Sequence, residues 1–439
     1  MPIYHIVLFK LKPNTDSSQV SEMRAAGDAM VGVVPGLRSF TLGPPLSSTA
    51  HRAQGFDMAL MTVMDTEEQV LAYAGHPPTA EVRVGSAQTP NALQEQHQKL
   101  RLSPTNIEKW EDGLRTDPPK PGVFEWWYFD SHLANGAKLM VVFHTKLFAN
   151  PNTGLDPKIR VQLDTPDGRS WAITKTYPAS SFNASREECN VTVDGEKDGQ
   201  INFFRGNDLN AFQIHVVVDD LTIDVQLNST TSPWRPGTGH VYYDEDEYFA
   251  WLVAVPQGKV TATYRIGGEK PVTAEGDGYH DRNWGNVSLA KVINHWYWGR
   301  GTVGPYTVIS SATTSSDNLA YAMGISFMIQ KGDTIVAEDA GKVVFTATDA
   351  GIDEETGRSV ADRLHFEYRD NELVYTLKYV KEDFTSRQKM GDGWYLRFAG
   401  SLRFKTYESG KMVEAYESHT QWDSMWFGQA HRDALIYQK

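Results

Sequence analysis

The sequence predicts a multidomain chain: an α+β ferredoxin-like unit of about a hundred residues, followed by an all-β region built as a double barrel or sandwich. Three observations carry this. At 439 residues the chain exceeds the roughly 250–300 residues at which a single hydrophobic core stops growing. Its opening segment alternates strand-like and helix-like runs. After residue 123 short apolar/polar alternations separated by Gly, Asn and Asp turns take over, with no long helical pattern.

Residues 3–11 are rich in β-branched and aromatic side chains and stop at Lys12-Pro13-Asn14, which reads as a strand and its end. Asp16 or Ser17 then caps a helix over 18–33, where Val20, Met23, Ala26, Met30 and Val34 recur at helical spacing until Pro35-Gly36. Strands over 37–43 and 56–64 flank a polar loop, and Asp65-Thr66-Glu67-Glu68 opens a second helix reaching about Tyr73. The order βαββα is that of a ferredoxin-like unit.

The segments HIVLFKLKP, VPGLRSFTLG and LAYAGHPP resemble the stress-responsive dimeric α/β-barrel (Dabb) family over about residues 1–102. The resemblance implies two such sheets packed face to face, with a homodimer formed through the N-terminal domain as the expected partner. Some members of that family are small-molecule cyclases. His5 and His76 stand at positions the family often carries, although a strand histidine is more often structural. Residues 103–122, rich in Pro and charge, read as a linker. Two β domains are expected beyond it, over 123–290 and 291–439.

Composition excludes several functions. Asp and Glu outnumber Lys and Arg, 55 to 42, so the net charge of −13 repels phosphate backbones and anionic lipid. Nucleic acid is not an expected partner, and no apolar run reaches the ~18–20 residues of a membrane-spanning helix. The one cysteine, Cys189, forms no intrachain disulfide, and the short opening strand interrupted by His5 is not a signal-peptide core; both favour a cytoplasmic location. The sequons at Asn183, Asn190, Asn228 and Asn286 are then chance matches. No HExxH, paired CxxC or GxSxG pattern is present, and no GxGxxG or GxxxxGK[ST] leads from a strand into a helix, so neither a metal nor a nucleotide cofactor is expected.

The chemistry concentrates in aromatic clusters. Phe124-Glu125-Trp126-Trp127-Tyr128-Phe129-Asp130 opens the β region, Tyr279-His280-Asp281-Arg282-Asn283-Trp284 lies in its middle, and His295-Trp296-Tyr297-Trp298-Gly299-Arg300 follows. Such a density of tryptophan points to a shaped apolar pocket with a few polar donors, set against the plainer reading that the rings plug barrel ends. Residues two apart share a strand face, so Tyr279 and Asp281 point one way and His280 and Arg282 the other. Trp296, Trp298 and Arg300 likewise oppose His295 and Tyr297. A carboxyl facing inward among aromatics has its pKa raised by desolvation and serves as a proton donor near neutrality, unless a cation offsets it. The run 242–248 reads as a solvated loop with tyrosines near a pocket mouth, and His419, Trp422 and Trp426 as the closure of a second barrel.

The motifs EWWYFD, GDGYHDRNWGN and HWYWGR resemble, over about 123–430, the lipocalin-like superfamily of carotenoid 1,2-hydratase (hydroxyneurosporene synthase) and the fungal Diels–Alderases. The resemblance implies a double lipocalin-like fold and a cofactor-free pericyclase that folds a hydrophobic polyketide or terpenoid for a [4+2] cycloaddition. The extra N-terminal unit departs from the decalin-forming enzymes. It directs the expectation to the tropolone-sesquiterpenoid branch, where dehydration to a quinone methide precedes a hetero-Diels–Alder closure. Asp281, with Tyr279 and His280 as hydrogen-bonding partners, is the expected catalytic group. Trp127, Tyr128, Trp251, His295, Trp298, Arg300 and Trp422 are the expected substrate contacts. The alternatives are a hydratase or lyase acting on an isoprenoid double bond and a non-catalytic lipocalin-like carrier.

Overall fold

The computed structural model describes residues 3–11, 15, 20–21, 23–24, 27–28, 31, 37–45, 56–66, 90–197, 199–243, 246–319 and 321–428. The chain falls into two compact units, one built on residues 1–82 and the other on 83–347 and 352–430.

In the first unit, Met58–Met64 lies between Ile3–Phe9 and Leu37–Gly43 in an antiparallel sheet. The two outer strands run parallel with one strand between them, so the segment joining them must cross a sheet face, and residues 20–21, 23–24 and 27–28 on it are helical. Val20 and Met23, which the helical spacing marked as apolar, pack with Phe40, Leu42 and Met58. Tyr4, Ile6 and Leu8, alternate residues of the first strand, are more than half exposed. The expected second helix and His76 lie outside the described residues.

The second unit is all-β apart from short helical turns and the helix Pro90–Leu100. Its first sheet has twelve strands among the described residues. They run in the order Ser170–Thr176, Lys158–Asp164, Lys138–His144, Phe124–Leu133, Val272–Gly285, Tyr248–Ile266, Leu221–Ser229, Ala211–Val218, Ile201–Asn207, Asn190–Asp194 and Phe182–Ala184, and His240–Tyr242 pairs with Tyr248–Ile266. The second sheet has nine: Thr334–Ala337, Met323–Lys331, Tyr306–Ser315, Ile293–Val303, Lys411–Trp426, Gly393–Glu408, Leu373–Met390, Ser359–Asp370 and Val343–Ile352. Each encloses its own core. Trp127, Phe129, Phe143, Phe204, Phe212 and Ile223 fill the first. In the second, Trp422 is in ring contact with Tyr297, Tyr379 and Phe398.

The strand Phe124–Leu133 is buried on both faces, which a sheet with one solvated side does not require. Trp127 and Phe129 face the first core, whereas Trp126 packs with Val142, Ile293, Met425 and Phe427, residues drawn from both sheets. The outer faces of the two sheets are therefore packed on each other.

Residues 103–122, expected as a linker, are a packed strap. Glu111 and Asp112 are buried on the 3-10 turn Lys109–Asp112 and bind Arg235 and His280. Leu114 N–H donates to Ser185 O at 2.7 Å. Helix Pro90–Leu100, placed by the sequence reading inside the N-terminal domain, belongs with the β unit, where Thr238 Oγ1 bonds Gln96 Oε1 at 3.2 Å. Pro and charge mark a loop only locally. They do not reveal that the acidic side chains find cations more than a hundred residues away.

Candidate functional site

Between the packed outer faces lies a cavity of about 180 Å³. Strand alternation decides what lines it. Across the first sheet, Arg160, Val142, Tyr128 and Asp281 stand side by side in one row, and His144, Trp126, Asn283 and Trp251 in the next. Facing them from the second sheet are Ser326, Ser311, Trp298 and Asp423 in one row, and Gly324, Thr313, Trp296, Met425 and Tyr395 in the next. All of these contribute to the cavity wall.

Asp281 is the polar centre of the first wall. Its Oδ2 accepts from Tyr279 Oη at 2.7 Å and from Trp251 Nε1 at 2.8 Å, and its Oδ1 from Asn283 Nδ2 at 3.1 Å. Burial raises its pKa to about 6 against the opposing pull of the Tyr279 and Trp251 donors. Replacing Trp251 by Phe is expected to remove one donor to the charged form, so the carboxyl should titrate at still higher pH. An NMR titration of the Asp281 carboxyl that moved downward or not at all would contradict this balance.

The second wall carries a carboxyl that the sequence reading did not single out. Asp423 accepts from Tyr395 Oη at 2.8 Å and Trp296 Nε1 at 3.3 Å, and burial raises its pKa to about 7 although Arg397 opposes the rise. Arg397 also bonds Tyr128 Oη at 2.8 Å and Tyr395 Oη at 2.9 Å, and Tyr128 Oη donates to Asp130 at 2.8 Å. For Asp130 the sign reverses: burial pushes upward, but the guanidiniums of Arg300, its direct partner, and Arg397 hold its pKa below the usual value. The site therefore contains two carboxyls poised near neutrality and one fixed as an anion.

Of the expected residues, Asp281, Tyr128, Trp251 and Trp298 come together at the cavity, with Tyr279 immediately behind Asp281. Arg300 pairs with Asp130 and opens on an adjoining polar hollow. Four expectations need correction. His280 is no partner of Asp281: it points into the first core, bonds Asp112 Oδ2 at 3.1 Å and Tyr128 O at 2.9 Å, and sits between Phe204 and Phe212. Trp127 faces the same core, donating to Asp112 O at 3.0 Å beneath the Arg282 guanidinium. His295 points into the second core, stacked on Trp426 at 4.2 Å, and Trp422 is buried there too rather than walling the cavity. In each case the neighbouring residue in sequence faces the cavity. His419 projects into solvent, and Tyr243, from the expected loop, reaches the wall.

The cavity residues missed, Trp126, Trp296, Asp423, Tyr395, His144 and Arg160, and Arg397 in the adjoining hollow, follow from the same alternation once the cavity is known to lie outside the sheets. As for metals, Asp112, Cys189 and His280 bring three donor atoms within 4.8 Å of one another, away from the cavity in the first core. Arg282 is beside this cluster and disfavours a cation there.

Residues 91–390 match the model of the family described as Diels-Alderase-like, about two-thirds of the chain. The chain belongs to the Diels-Alderase-like family. Residues 3–92 match the Stress responsive A/B Barrel Domain. Among characterised relatives, a quinolone epoxide rearrangement protein of Penicillium thymicola is 25% identical over 226 residues, covering 47% of this chain and 61% of the relative. A second protein of that name from Emericella nidulans is 24% identical over 233 residues, 49% of this chain and 63% of the relative. The match thus spans about three-fifths of each relative. An AttH candidate from Nitrosomonas europaea shares the fold of this Diels-Alderase-like chain, with a TM-score of 0.52 at 13% identity over 74% of this chain and 98% of that one.

Proposed function

We propose that this member of the family is an enzyme that closes a ring in an unsaturated secondary metabolite, with Asp281 as the proton donor. The observation that carries the reading is a carboxyl with a pKa of about 6, held by Tyr279, Trp251 and Asn283 in the wall of a tryptophan-lined cavity. The reaction that fits best is loss of water from a hydroxybenzyl-type alcohol followed by [4+2] closure. Asp281 gives its proton to the leaving hydroxyl, which departs as water. The carboxylate so formed takes the phenolic proton, leaving a neutral quinone methide. That heterodiene and an alkene then form one C–C and one C–O bond. Confinement of both partners in near-attack geometry contributes about 7–11 kcal/mol where two molecules meet, and a donor to the developing oxyanion about 3 kcal/mol. The protonated form of Asp423, held in place by Tyr395 and Trp296, supplies a donor on the facing wall.

The curated relatives named for epoxide rearrangement support acid-assisted chemistry in this family, since opening an epoxide also needs a proton delivered to a departing oxygen. A second reading, hydration of an alkene, rests on the two carboxyls of different pKa in one cavity, one to protonate and one to activate water. Turnover of a hydroxybenzyl alcohol with a trisubstituted alkene in heavy-oxygen water separates them. The expected product is an unlabelled cyclic ether, whereas a labelled alcohol would overturn cycloaddition in favour of hydration.

A further inference from the structure

At the far end of the cavity wall from Asp281 stand two basic side chains that the chemistry above leaves unused. Arg160 lies three strands from Asp281 in the same row, a separation of roughly 14 Å at about 4.8 Å per strand. Its Nη2 is shut off from solvent and has no hydrogen-bond partner. Nη1 reaches the Met390 sulfur at 3.5 Å, and the guanidinium carbon lies over the Tyr395 ring at 5.7 Å. Among the described residues no carboxylate forms an ion pair with Arg160. In the next row, His144 is 4% exposed and packs against Trp126, with neither ring nitrogen hydrogen-bonded. Both side chains line the cavity, and Met140, Val142, Phe148 and Met425 make the surface between them and the acid end apolar.

A half-buried guanidinium with no anion and one nitrogen shut off unbonded, beside a buried imidazole with no hydrogen bond, is costly in an empty protein. A ligand that brings an oxygen acid into reach satisfies both. We propose that Arg160 and His144 form a subsite for the ionised oxygen head of the substrate, a carboxylate or acidic enol. Its unsaturated body then runs along the apolar wall and its reacting carbons lie at Asp281. This deepens the function proposed above and rests on the cavity being the substrate site. The planar guanidinium presents two donors to the head, and neutral His144 adds a third. Burial holds His144 neutral, with its pKa lowered to about 3, so this contact does not depend on pH across the physiological range.

The test uses two dyes with the same rings, anilinonaphthalene sulfonate, which carries an oxygen acid, and uncharged N-phenylnaphthylamine. Their fluorescence on binding is read with the full-length chain and its variants. The wild type is expected to bind the acid about tenfold more tightly or better. Arg160→Met should abolish that preference while leaving the neutral dye's affinity unchanged, and Arg160→Lys should retain part of it. His144→Leu should weaken the acid alone. Because Arg160 has no anionic partner in the free protein, Arg160→Met should melt no lower than the wild type, a result that an arginine in a structural ion pair would not give. Equal affinities for the two dyes in the wild type, or an acid preference that survives Arg160→Met, would overturn the subsite and leave the cavity reading standing. Failure of both dyes to bind would remove the cavity reading, and the subsite with it.

Discussion

Asp281→Asn is expected to cut turnover by about 10²–10⁴-fold, the range that a positioned general acid contributes. Asparagine can still accept from Tyr279 and Trp251 through its carbonyl oxygen, so the cavity wall should stay in place while the transferable proton is lost. The pH profile is the companion measurement. In the proposed reaction the active form is the neutral carboxyl, and burial raises the pKa to about 6, so the wild-type rate should be level below that value. It should then fall about tenfold per unit above it. The same shift has a consequence for stability. A carboxyl whose pKa is higher in the folded than in the unfolded chain favours folding below the unfolded value, near 3.8, and that contribution is lost as pH rises through about 6. The melting temperature of Asp281→Asn should therefore fall less between pH 4 and pH 7 than that of the wild type. A variant that turned over normally, with an unchanged alkaline limb, would leave Asp281 without a catalytic part.

The largest stability effect is expected at Glu125, on the other face of the same sheet. Its carboxylate is fully buried against the Arg282 guanidinium and accepts backbone N–H bonds from Arg115 and Thr116 of the strap. Arg282 in turn lies over Trp127 and Trp284, at 5.0 and 4.7 Å, and bonds Glu111 O at 3.1 Å. Glu125→Gln leaves this cation buried and uncompensated, which should cost about 3–5 kcal/mol. Urea unfolding followed by circular dichroism reads this directly. A loss below 1 kcal/mol would mean that solvent reaches Arg282 and that the strap is loosely held.

Legibility differed between the levels of structure. The three N-terminal strands and the change to all-β architecture were readable because local periodicity and turn chemistry specify them. The pairing of Tyr279 with Asp281 was readable for the same reason, since residues two apart on a strand share a face. Alternation could not say which face was inside. Trp127 was chosen as a wall and proved to be core, while Trp126 is the wall, because a strand buried on both sides gives no polar face to break the symmetry. His280 and His295 were misplaced for that reason too. Asp423 stayed hidden because its partners, Trp296 and Tyr395, come from other strands, and their convergence is a property of register between distant segments. The strap at 103–122 illustrates the same limit: nothing local to Glu111 announces Arg235.

The double burial of Phe124–Leu133 also constrains how such a chain can diversify. Trp126 and Tyr128 line the cavity and Asp130 the hollow beside it, whereas Trp127 and Phe129 fill the interior, so substitutions at every second residue can reshape the cavity while the core is untouched. A single inserted or deleted residue would swap the two sets, presenting Trp127 and Phe129 to the cavity and hiding Tyr128. The shape of the cavity is thus open to change along one parity, and length variation is tolerated only in the turns.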